Sequence, residues 1–199
     1  MKKRNFWSWL VNPFVRIAGW HAFFIGILFV ILCAVVGTYA NVAFDGVIDA
    51  HITTRFTFHT AFILQFINLL SLVGAMYIAA MIVAKHTRFV DILGTLTLAR
   101  APMLFLAIAG LFITPISAGE ILQNPMAIFA NTGYLMFMLT SVAAVVWMMT
   151  LFFNAWRVST ETKGTKLIVS FIIGMMAAEV VSKLLIYFFL QTHSSIDYL

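Results

Sequence analysis

The sequence predicts an all-α protein: a polytopic transmembrane helix bundle of five spans, with short interfacial helices before span one and between spans two and three. Three observations carry this reading. Apolar residues make up 63% of the 199 positions and charged residues only 10%, against about 25% charged in an ordinary soluble domain. So few charges cannot cover a soluble globule of this size, and mean hydropathy is correspondingly high at +1.03. The apolar residues also fall in unbroken runs close to the ~20 residues that a helix needs to cross a bilayer. Leu, Met, Ala and Phe dominate these runs, whereas barrel strands span about ten residues and alternate apolar with polar. The chain therefore reads as a single integral membrane domain over 1–199.

The first element is the segment 5–18, which mixes Phe6, Trp7, Trp9, Phe14 and Ile17 with Asn12, Pro13 and Arg16. Tryptophan and arginine beside a span suit the membrane interface, and Pro13 should break or start a short helix there. Span one follows at about 22–40 without a charge. Lys2, Lys3 and Arg4 precede it as in a signal peptide, but the late start and the length of the run favour an uncleaved span. Its one cysteine, Cys33, lies inside the apolar run and reads as a small buried hydrophobe.

The link 41–59 carries Asp45, Asp49, His51, Arg55 and His59. It reads as a polar link on the membrane surface; no dense metal-ligand pattern is present, and neither a metal nor a cofactor is expected. Span two follows at about 60–84. In the next link, 85–100, Phe89, Ile92, Leu93 and Leu96 recur at helical spacing among Lys85, Arg88, Asp91 and Thr95, which predicts an interfacial helix. Span three is short, 101–116, with Pro102 and Pro115 near its ends; it reads either as a full span or as a broken, re-entrant one. Spans four and five fall at about 132–155 and 167–190.

Charge orients the bundle. With the N-terminus in the cytoplasm, Lys2, Lys3, Arg4, Arg16, Lys85, Arg88, Arg100, Arg157, Lys163 and Lys166 all fall on the cytoplasmic side, while Asp45, Asp49, Glu120 and Asp197 fall outside. This asymmetry predicts N-in and C-out. It also explains the net charge of +5 without a nucleic-acid partner, because the cations are divided among loops. Membrane lipids are the expected partners, with a homo-oligomer or a membrane-protein partner as further expectations. Arg16, Lys85, Arg88 and Arg100 are the expected contacts to lipid head groups.

Ionisable and polar groups inside a membrane need partners or water. Glu179 and Lys183 in span five are four residues apart and can pair on one face. Gln65, Asn68, Ser71 and Gly74 form a stripe on span two. These groups read as structural packing contacts or, alternatively, as the lining of a transport path near Glu179 and Lys183. The sequence shows no P-loop, dinucleotide fingerprint or serine-hydrolase elbow, so no catalytic residue is assigned.

In Asn12-Pro13 before span one, in GTLTLARAP at 94–102, in five crowded spans and in WMMTLFFNAWRVSTETKGTK at 147–166, the chain resembles the Yip1 family of small membrane proteins. The resemblance covers nearly the whole chain through short, tolerant motifs. It implies a five-span architecture and no catalytic signature. Eukaryotic members act in early secretory traffic with small GTPases, and bacterial members mostly lack an assigned activity. The chain has no long cytoplasmic N-terminal extension, which points to a bacterial-type member of the inner membrane. Three functions stand as expectations: a membrane organiser binding lipid or a partner, a transporter of a small solute, ion or lipid, and, with least support, a membrane-embedded enzyme.

Overall fold

The computed structural model describes residues 6–53, 57–84, 86–113, 118–124 and 126–192. The fold is all-α, with five long apolar helices that form a five-span membrane bundle. Short helix α1 (Phe6–Val11) and a 3-10 turn (Pro13–Val15) lead into α2 (Gly19–Ala40). Two-residue strands β1 (Val42–Ala43) and β2 (His51–Ile52) pair antiparallel and make the link to α3 (Phe58–Val83) a hairpin. Then come α4 (Phe89–Ala99), α5 (Met103–Gly110), two short helices α6 (Ala118–Gln123) and α7 (Ala127–Ala130), and the long α8 (Thr132–Thr160) and α9 (Gly164–Thr192).

Local chemistry sets several of these boundaries. The Thr57 hydroxyl accepts from the Thr60 N–H at 3.2 Å and starts α3, and the Asn131 side chain accepts from the N–H groups of Gly133 and Tyr134 and starts α8. These are side-chain N-caps, which satisfy donors that a helix leaves free at its first turn. Asn41 ends α2 in the left-handed region at φ 52°, a conformation asparagine tolerates better than most residues.

The third span differs from the expectation. It runs from Phe89 to Gly110, so 89–99 is its first half rather than a helix lying on the membrane surface. Arg100–Pro102 marks a tightened joint between α4 and α5, because Pro102 has no N–H to continue the ladder. The polar residues that suggested an interfacial helix are made compatible with burial by local bonds. Thr95 and Thr97 each donate a hydroxyl to the carbonyl four residues back, Asp91 and Leu93, at 2.6 Å. Of this span's central stretch, 67% is buried inside the bundle, against 28–39% for the other four. It is the central helix, and its amphipathic pattern reflects contact with protein.

Around it, α4 packs chiefly on α2 and α8, α5 on α2 and α8, and α9 on α3. Gly26 and Gly94 permit the α2–α4 contact: a Cβ on Gly26 would lie 2.5 Å from the Leu98 nitrogen, and one on Gly94 would collide with the Gly19 carbonyl. At one end of the bundle sit Arg16, Arg88, Arg157, Lys163 and Lys166; this is called the basic end. The β-hairpin lies towards the other. Large apolar side chains such as Phe24, Phe66, Met136, Leu139 and Ile173 are exposed around the outside, as a lipid-facing surface requires.

Candidate functional site

The link expected on the membrane surface is instead folded into the bundle. Val42, Ala43, Phe44 and Val47 are all buried at 0–1% exposure. Burying this irregular backbone requires partners for its polar groups, since each one left unmade in an apolar medium costs roughly 2–7 kcal/mol. The partners are the polar side chains on the spans. From α3, Asn68 donates its amide to the Phe44 carbonyl at 2.7 Å, and it accepts in turn from the Ser182 hydroxyl of α9. From the α4–α5 joint, Arg100 donates to the Val47 carbonyl at 2.9 Å. From α9, Glu179 accepts the Ile48 N–H at 3.1 Å.

The last two contacts address a single peptide unit. The Val47 C=O faces the guanidinium and the Ile48 N–H faces the carboxylate, so the unit's dipole lies between two opposite charges in its favourable sense. Arg100 also donates to Gln65 Oε1 at 3.1 Å. Gly46 completes the fit, since a Cβ there would overlap the Glu179 carboxylate.

Nearer the surface, Lys183 donates to Asp49 at 2.8 Å and lies 3.6 Å from Glu179. The expected Glu179–Lys183 pair thus exists, but each group's shorter contact is to the hairpin. His51 on β2 lies 3.2 Å from Asp45. The Asp45 carboxyl is pushed up by burial, but its hydrogen bond to His51 and the charges of His51 and Lys183 together outweigh this, so it titrates below the ordinary range. The same hydrogen bond holds the His51 imidazole above its ordinary value despite burial.

The candidate polar residues Glu179, Lys183, Gln65 and Asn68 are therefore brought together, with Arg100 joining them. Arg100 corrects the head-group expectation: it is 2% exposed and sits mid-span. Of the other expected lipid contacts, Arg16 is exposed at the basic end, with its guanidinium 4.5 Å over the Trp9 ring. Arg88 is exposed beside Asp91, with two contacts of 2.9 and 3.3 Å. Lys85 and Arg55 lie outside the described residues. Of the rest of the span-two stripe, Ser71 is buried, whereas a Cβ on Gly74 would meet nothing within 4 Å. Asp45, Gly46, Val47 and Ile48 were missed as site residues. The available signal was an apolar Val-Ala-Phe and Val-Ile flanking an Asp-Gly pair, a turn signature inside an otherwise polar link.

The fold and site define an integral membrane protein of the polytopic helical class. No protein-family model matches the chain, no curated protein matches it, and no solved structure matches it. The Yip1 likeness accordingly rests on the sequence motifs themselves.

Proposed function

We propose that this chain is a non-catalytic membrane organiser of Yip1 type that binds lipid or a membrane-protein partner through a rigid, hairpin-locked bundle. The observation that carries the reading is the use made of the intramembrane polar groups. Asn68, Arg100 and Glu179 each spend a hydrogen bond on hairpin backbone, which is a structural use of groups that a transport path would keep available to a passing ion or solute. The basic end, carrying Arg16, Arg88, Arg157, Lys163 and Lys166, supports a cytoplasmic N-terminus and an outward-facing hairpin, in the inner membrane of a bacterium.

The test is proteoliposome flux of protons and small ions for wild type and Glu179→Gln, alongside a mild-detergent pull-down with lipid and partner analysis. The expected outcome is no flux above protein-free vesicles for either protein, with lipid or a partner retained. Flux in wild type that Glu179→Gln abolishes would replace this reading with the transporter alternative.

A further inference from the structure

α8 and α9 leave the turn at 161–163 together and then part. Close to the turn they are joined: the Trp156 indole donates to Ser170 at 3.1 Å, and the Phe153 and Phe171 rings meet edge to face at 5.3 Å. Farther along, α9 follows α3 while α8 follows α4 and α5. The hairpin tip sits in the resulting V. On its α3 and α9 side it is held by the hydrogen bonds of Asn68, Glu179 and Lys183. Towards α8 it meets instead two apolar hollows of about 300 Å³ each, and Ile48 lines both. One lies between α8 and α9, walled by Met149, Phe171 and Met176; the other lies between the tip, Leu106 of α5 and Val145 of α8.

We propose that this V is a binding site for one zwitterionic, amine-bearing phospholipid of the surrounding bilayer. The two hollows take its acyl chains on either side of Ile48, and the Asp49–Lys183 pair takes its head group. The hollows open on the lipid-facing side, where Val142, Val146, Met176 and Val180 are 56–65% exposed, so the occupant enters from the membrane and not from water. Charge selects the head group. Lys183 and Asp49 are both about half exposed, at 46% and 53%, and lie 2.8 Å apart. A phosphate fits the ammonium of Lys183, and a primary ammonium fits the carboxylate of Asp49. A purely anionic head group would gain Lys183 but face Asp49, Asp45 and Glu179 together.

This site rests on the lipid-binding reading above and gives it a location and a ligand class. The experiment is native mass spectrometry of the delipidated full chain titrated with phosphatidylethanolamine or phosphatidylglycerol of identical acyl chains. Wild type should retain the ethanolamine lipid at least tenfold more tightly. Val145→Trp and Met176→Trp, each filling one hollow, should reduce retention of both lipids, with an unchanged melting profile as the folding control. Asp49→Asn should narrow the preference. Equal retention of the two lipids, or retention untouched in whichever tryptophan variant keeps its melting profile, overturns the site alone. If wild type retains neither lipid, the lipid-binding reading falls with it.

Discussion

Arg100, buried at 2% exposure, and Glu179, with its side chain 18% exposed, hold the two ends of one peptide unit. Removing either one takes a charge-assisted hydrogen bond from that unit, a loss of about 1.5–3 kcal/mol, while Lys183 near Glu179 and Gln65 beside Arg100 still partner the charge that remains. Arg100→Met and Glu179→Leu should each lower the thermal midpoint. Because the two charges act on the same C=O–N–H group, the double variant should lose less than the sum, by roughly 0.5–3 kcal/mol. Additive losses in detergent unfolding would show that the two contacts are independent. His51 and Asp45 make a separate, pH-dependent contribution. The His51 pKa is raised in the fold, so its contribution is full below about pH 6.5, the unperturbed value, and is lost as pH rises through the higher folded value. The Asp45 pKa is lowered, so its contribution is present above about pH 3.9 and is lost as pH falls through the lower folded value. Stability from this pair should peak between those limits and decline both below the lower and above the upper, and His51→Gln should flatten the decline above the upper limit. A melting curve with the same pH slope in wild type and variant would remove His51 as its cause. Both groups are partly exposed, so salt should weaken the effect.

At the scale of elements, the close α2–α4 crossing depends on missing side chains. Gly26→Ala forces a Cβ onto the backbone of Thr97 and Leu98. Backbone cannot rotate away as a side chain can, so a cost of about 1–3 kcal/mol or more follows. Gly74→Ala, which meets open space, should be neutral or gain up to about 1 kcal/mol from helix propensity. Thermal unfolding of the two variants side by side tests this, and equal behaviour would mean that the contact at Gly26 does not limit the packing. The span count and most span ends were legible because continuous apolar length is a one-dimensional signal. The third span was not, because Thr95 and Thr97 look like surface polarity until their bonds to Asp91 and Leu93 are seen. Nor was the placement of Arg100: a cation at the end of an apolar run reads as a membrane-edge residue. Its partner, a backbone carbonyl 53 positions away, leaves no local trace. Glu179, Lys183, Gln65 and Asn68 could be singled out because ionisable and amide groups are rare in spans, but the hairpin they hold could not be read from them.

For the whole molecule, the outcome is a bundle whose two sides are joined by α2 and α4, with the hairpin seated between them. α3 with α9 forms one side, α8 with α5 the other, and α4 runs between them with α2 packed on it. The tip is tied by hydrogen bonds to the α3 and α9 side and to Arg100, while its α8 side is apolar contact with hollows. This asymmetry predicts where the molecule opens. Local opening takes the lowest-energy route, which breaks the fewest buried contacts, so α8 should separate from the tip before the tip leaves α9. Hydrogen exchange distinguishes the order. Amides of 44–48 should stay protected while the α8 segment 141–149 shows faster exchange than the α9 segment 175–183. Glu179→Leu removes the acceptor of the Ile48 N–H and should release 44–48 selectively, leaving α8 unchanged. If 44–48 exchanged as fast as α8 in the wild type, the hairpin would move with α8, and the hydrogen bonds to α3 and α9 would not be what sets its position.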